Sequence, residues 1–424
     1  MTQRRRLLQA AAALGAAAML PGMARAQSGA KKYSGVTLNV SVFSTAYAKL
    51  LQQWLPEFEA SSGAKVNFDA PSFPVYNQRD DLELSTRGSA YDVLNVTFIY
   101  SSPWTNSGWL TPLDDFIRNP ALTSADWDVK DFLPGALAPE TGKDGKLYGI
   151  PWDAEALLSG SSRFDLVSAA GFAYPDTTDD LVTVLRAVNK KERVAGYVAD
   201  SHYGWTFVPY LQAFGGNVFR APPDDLFPTL DTPEAIAAAE YYANLIREFG
   251  PDGGVTYTAD QVTQALKLGR TNFTDAGQIY LAQLGDPAAS KTVKTANFGL
   301  VPKGPAGRFP GVAVHGLGIP AGSKNKEAAW AFIQWALSKQ VTRRAVAAGY
   351  GAPARRSDID SKEFRARQMI NGHDLAELSL QSIDIAARSG HMKYRTVAVY
   401  PQVDQQLNTA IARIATKQLS ARQA

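Results

Sequence analysis

The residue pair that stands out for chemistry is His315-Gly316, set between Val312-Ala313-Val314 and Leu317-Gly318-Ile319-Pro320. A histidine followed by glycine, at the break of an apolar strand, marks a backbone that approaches something closely; alone it does not make a catalytic group. The other histidines, His202, His373 and His391, show no HExxH or other metal spacing, so no metal or cofactor is expected. No GxSxG joins a strand to a helix, which argues against a serine nucleophile. Glu140, Asp153 and Glu155 are the carboxylates that a glycosidase would set across a cleft, yet they gather at one hairpin and not at several strand ends. A secreted glycosidase is therefore the rival reading, and the chain is read as no enzyme; release of reducing sugar from a glycoside would reverse that. Neither GxGxxG after the first strand nor a GxxxxGK run ending in serine or threonine occurs, so dinucleotide and P-loop readings fail.

These residues need elements to hold them. Val36 to Phe43 is apolar at every second position and predicts a strand. Tyr47 to Ala60 carries Leu50, Leu51, Trp54, Leu55 and Phe58 at helical spacing, with Pro56 expected to kink or shorten the helix. Lys65–Phe68 and Tyr91–Val96 predict two more strands, with a polar helix over Asn77–Thr86 between them. That alternation means a parallel sheet with right-handed crossovers, and ligands beyond the carboxyl ends of its strands. Here those ends are Phe43–Tyr47 and Phe98–Trp104. Further on, Lys143-Asp144-Gly145-Lys146 predicts a hairpin turn, and Leu147–Ile150 a strand that ends at Pro151-Trp152-Asp153. Asp176–Val188 and a helix started by Asp231-Thr232-Pro233-Glu234 and stopped at Gly250-Pro251 follow. Asn297–Pro302 returns to a strand pattern, and Asn325 is expected to cap the next helix, whose apolar face is Ala329, Phe332, Ile333, Ala336 and Leu337. Helix-rich segments between two sheet-forming regions predict a second lobe inserted into the first.

The chain's first residues set its destination. Arg4-Arg5-Arg6 precedes Leu7-Leu8, an alanine-rich apolar run to Leu20, Pro21-Gly22 and Ala24-Arg25-Ala26. This predicts a cleaved signal over 1–26, of twin-arginine type, and export to a periplasm. Without Arg4, Arg5, Arg6 and Arg25, 39 basic residues face 40 acidic ones, and nothing favours nucleic acid or an anionic membrane. There is no cysteine, so neither lipid anchoring at a mature N-terminal cysteine nor disulfides are expected.

The chain resembles the family 1 extracellular solute-binding proteins, the sugar-binding receptors of ABC importers. The resemblance rests on YDV at 91–93, GWLTPLDDF at 108–116, DGKLYGIPWD at 144–153 and FGGN at 214–217. DTPEAIAAAEYYANL at 231–245, NFGLVPKGPAG at 297–307 and the segment 311–356 complete it. LGDPAASK at 284–291 is similar to a segment of the sugar-alcohol receptors and points towards polyols. The family implies an α/β, two-lobed periplasmic binding protein fold (type II-like), with hinge crossings and a ligand cleft between the lobes. On this reading 36–140 and 295–345 form the N-terminal lobe, and 141–294 and 346–424 the C-terminal lobe. It also implies a monomer that captures a sugar or polyol by hinge closure and delivers it to membrane permease subunits; glycerol phosphate is the non-carbohydrate alternative, disfavoured because no Arg/Lys cluster forms an anion site. Such ligands need flat rings for their C–H faces and polar groups for their hydroxyls. The candidates are Phe43, Tyr47, Tyr100, Trp152, Asp153, Trp205, Asp275, His315, Gly316 and Arg355. The chain holds 44 aromatic residues (8 Trp, 17 Tyr and 19 Phe), so packing is the ordinary role for any one of them; Trp54, Trp330 and Trp335, on helices, are read that way.

Overall fold

Strand β1 (Thr37–Ser41) buries Leu38 and Val40 completely, as its alternation predicts. The structure, a computed structural model, describes residues 31–389, 391–395, 397 and 399–424; the expected signal, 1–26, lies outside the described residues. Helix α1 (Ala46–Ser62) starts where the Thr45 side chain accepts the Ala48 N–H at 3.0 Å, and ends at Gly63 with φ 84°. Pro56 neither shortens nor ends it, because Leu51, Trp54, Leu55 and Phe58 hold the helix to the core from both sides of the proline. Strand β2 (Lys65–Asp69), helix α2 (Phe73–Ser85) and strand β3 (Val93–Thr97) follow, and β2-β1-β3 pair in parallel.

One long strand then joins two sheets. Strand β4 (Ile150–Ser161) is buried on both faces, so its sequence shows no alternation. The remaining strands of the large sheet are β5 (Ala195–Tyr197), β8 (Thr271–Gly277), β9 (Asn297–Gly299) and β10 (Val312–Gly318); β6 (Phe219–Ala221) and β7 (Asp225–Pro228) form a separate hairpin. The sheet order is β2-β1-β3-β10-β4-β8-β5, with β9 also on β4. The first part of β4, Ile150–Ala156, pairs with β10; the second, Leu157–Ser161, pairs with β8. Register slips between His315, opposite Asp153, and Gly316, opposite Pro151, which leaves Trp152 as the extra residue of a bulge.

Two cores flank this strand. The first gathers β1, α1, β3 and the helix Lys326–Ala336 around residues such as Leu51, Val96, Trp330 and Ile333. The second packs the helices Thr178–Val188, Pro233–Phe249 and Tyr400–Ala415 through Leu185, Tyr242, Leu245 and Ile411. Each fully buried aliphatic or aromatic side chain contributes about 1.5–3 kcal/mol, so either core is large enough to hold the elements packed on it. Tyr350 to Ala386 packs in the first core and only Tyr394 onward in the second. The tail thus touches both cores; since the first core also holds Val262, Leu266 and Leu284 of the expected C-terminal lobe, the cores do not trace the lobe boundaries. The anchor of the tail is Arg355, buried in the first core, whose guanidinium donates to the Leu337 carbonyl and to Asp131. Asn325 precedes its helix without capping it; its Nδ2 donates to Asp92 Oδ1 at 3.2 Å instead.

Candidate functional site

A cleft of about 320 Å³ opens where the two cores face each other across β4 and β10. One wall comes from the first lobe. Phe43 follows β1, Phe98 follows β3, and Phe73 opens α2. Their rings surround His315 on β10, with centroids 4.8 Å away for Phe43 and 5.6 Å for Phe98. Burial and the nearby charge of Arg395 push the His315 imidazole down to about 3, so at neutral pH it is an uncharged ring among rings. Its Nδ1 has no hydrogen-bond partner among the described residues.

The opposite wall is polar. Trp205 lies on the short helix Tyr203–Thr206, and Asp200 precedes it. Asp275, on β8, is 2% exposed and accepts the hydroxyls of Tyr197 at 2.9 Å and Tyr210 at 2.5 Å through Oδ2. Burial raises the carboxyls of both Asp200 and Asp275. Glu155, on β4, forms the floor beside Tyr280. It occupies the space above Gly277, where any Cβ would fall 1.6 Å from its Oε1. Burial, with the charge of Asp153 added, lifts Glu155 to about 8; protonated at neutral pH, it can both donate to and accept from a hydroxyl. Arg395 closes the cleft from the segment between the helices Leu375–Ser389 and Tyr400–Ala415.

The structure therefore brings together Phe43, Trp205, Asp275 and His315 of the expected site. The other six are elsewhere. Trp152 was placed at a strand end, but β4 continues to Ser161, and its indole is buried, donating to Asn95 Oδ1 at 2.7 Å and stacked on Tyr47 at 5.4 Å. Tyr47 itself is 2% exposed and donates to the Ala336 carbonyl. Asp153, raised to about 7 by burial, accepts the Tyr350 hydroxyl at 2.6 Å. Tyr100 stacks on Trp104 at the start of a helix (Ser101–Asn106). Gly316 faces the Glu140 carboxyl inside the first lobe, and Arg355 sits at 3.9 Å over the Phe132 ring. Reading the sequence missed Phe73, Phe98, Asp200, Tyr280 and Arg395 as site residues and took Glu155 only as a glycosidase candidate. Phe98 was within reach, since it opens the segment Phe98–Trp104 already expected beyond a strand's carboxyl end.

The arrangement offers rings on one side, and carboxyls with a guanidinium on the other, a set suited to an uncharged ligand rich in hydroxyls. Among the described residues no group of histidines and carboxylates is placed to hold a metal ion, and no helix is long and apolar enough to cross a membrane.

Comparison with known proteins adds the following. The sequence profile of the bacterial extracellular solute-binding proteins matches residues 44–343. The erythritol/L-threitol-binding protein of Mycolicibacterium smegmatis is 24% identical over 348 residues, 78% of this chain and 73% of that one. The mannitol-binding protein of Pseudomonas aeruginosa is 25% identical over 271 residues, 62% of this chain and 60% of the relative. Among solved structures, an ABC transporter solute-binding protein from Agrobacterium radiobacter in complex with ribitol superposes with a TM-score of 0.76 at 22% identity, covering 92% of this chain and 96% of that one.

Proposed function

We infer a solute receptor from one premise: the chain belongs to the bacterial extracellular solute-binding protein family. Members bind solutes and are not catalytic, which removes the glycosidase reading. Our proposal is that this chain is the receptor of an ABC importer for a short acyclic polyol, which it captures between its lobes and passes to the membrane permease. The observation that carries the proposal is the cleft itself, where Phe43 and Phe98 face Trp205, Glu155, Asp200, Asp275 and Arg395. Rings cover the C–H faces of such a ligand and the polar groups take its hydroxyls. At about 320 Å³ the cleft lies at the small end of small-molecule sites, which favours a single short chain over an oligosaccharide. The names of the erythritol/L-threitol and mannitol receptors support the same class.

Capture works by hinge closure. Ligand contacts made to both walls stabilise the closed form to the extent that they are absent when the lobes part. The rest of the proposal is export by the twin-arginine route, with 1–26 removed, and action as a monomer in the periplasm. A thermal-shift panel of erythritol, ribitol, D-mannitol and maltose tests the ligand class. A polyol at 100 times its dissociation constant adds about 2.7 kcal/mol to stability. A shift with maltose alone, or with none of the four, would sink the polyol reading.

A further inference from the structure

We infer that Arg395 is the specificity-determining residue of the cleft: it donates to two separate hydroxyl oxygens of the solute and so selects a polyol over a sugar acid. This rests on the polyol reading above and goes beyond it, because it names the group that distinguishes neutral from anionic chains of the same length.

Arg395 is 3% exposed, and it lines the cleft. Its guanidinium carbon lies 4.9 Å from the ring centroid of Phe98 on one wall and 4.9 Å from that of Trp205 on the other, with Tyr400 at 5.3 Å behind. These rings hold the guanidinium between the two walls. Its nearest carboxylate oxygen among the described residues, Asp404 Oδ1, is 3.9 Å from Nη2, beyond hydrogen-bonding distance and itself without a hydrogen-bond partner, while Oδ2 lies 2.9 Å from His202 Nε2. Nε and Nη1 have no acceptor among the described residues. A buried guanidinium does not forgo two donors without cost, so the donors mark where an acceptor belongs.

The geometry decides which acceptor. The N–H of Nε points to the side of the guanidinium occupied by Nη2, away from Nη1. One carboxylate, with two oxygens on one carbon, spans a pair of neighbouring N–H groups, but not Nε and Nη1 together. Two hydroxyls spaced along a carbon chain reach both. The surroundings point the same way. Asp200, Asp275 and Glu155 line the same cleft; the oxygens of Asp200 and Asp275 accept hydrogen bonds from hydroxyls and disfavour a further carboxylate beside them, while the protonated Glu155 can donate or accept. A hydroxyl is the group that accepts from Arg395 while donating to one of these acids.

The test compares D-mannitol with D-gluconate, a six-carbon chain carrying a terminal carboxylate, by isothermal titration of the full chain and of the variants Arg395→Met and Arg395→Lys. The expected result is that the native protein prefers D-mannitol. Arg395→Met, which keeps an apolar stem between the rings, should weaken D-mannitol binding about 10- to 100-fold while the unliganded melting midpoint stays within a few degrees. Arg395→Lys keeps the charge with one compact donor head and should fall between the two. Unchanged D-mannitol affinity in Arg395→Met overturns this inference and leaves the polyol reading intact. Preferred binding of D-gluconate by the native protein, or no binding of any polyol, overturns both. Loss of affinity with a collapsed melting midpoint in both variants assigns Arg395 to packing and overturns the inference alone.

Discussion

The two walls of the cleft are built on opposite plans. The first-lobe wall presents Phe43, Phe73, Phe98 and a histidine held neutral by burial; it works by shape, and a polar atom in it, His315 Nδ1, has no partner among the described residues. The second-lobe wall presents acids whose positions are set by further hydrogen bonds, above all Asp275 between Tyr197 and Tyr210. Shape tolerates substitution by another ring, whereas a fixed network of hydrogen bonds does not. The walls should therefore fail differently when altered.

The largest effect is expected at Asp275→Ala. Two buried tyrosine hydroxyls lose their acceptor, and the unfolding free energy should fall by roughly 2–3 kcal/mol, read by urea denaturation; Asp275→Asn should cost less because an oxygen remains. Equal stability of Asp275→Ala and the native chain would remove the contrast between the walls. Next comes Trp205→Ala, the ring that the polar wall contributes. D-mannitol affinity should drop by about 2 kcal/mol, roughly thirtyfold, by titration calorimetry.

Glu155→Gln sharpens the comparison through pH. A carboxyl raised to about 8 in the fold keeps its proton there while the unfolded chain has lost its own. Its contribution to stability is complete below the ordinary value of 4.5 and is lost as pH rises towards 8. Glutamine does not titrate, so the gain in melting temperature over the native protein should be larger at pH 8 than at pH 5; a gain independent of pH would contradict the assignment. The smallest effect belongs to the first wall. His315→Phe exchanges one neutral ring for another and should leave D-mannitol affinity within about twofold; a loss above tenfold would mean that the imidazole nitrogens touch the solute.

How much of this was legible depended on whether the signal was local. The helix Pro233–Phe249 was readable because Thr232 caps it, Pro233 opens it and Gly250 stops it, all within a few residues. β1 was readable from its alternation, and Phe43 from its place at the strand's end. Trp152 misled because a strand buried on both sides, with Asp153 and Glu155 among its residues, has no clean apolar period to reveal its length. The residues Trp152-Asp153 looked like an exit and are the beginning of a crossing. Arg395 was invisible for a different reason. It reaches the cleft from a short segment between helices packed in different cores, and only the tertiary arrangement brings it to Phe98 and Trp205.

β4 carries one more consequence. Because a single run of backbone belongs to both halves, its ladder with β10 cannot come apart without releasing the end of the strand that β8 needs. Two separate cores would ordinarily unfold one after the other, leaving a half-folded species open to proteolysis. Here the shared strand makes the loss of either half a loss to the other, so heating should take the whole chain through one cooperative transition. The strand shared by the two halves is thus what should keep them from melting apart.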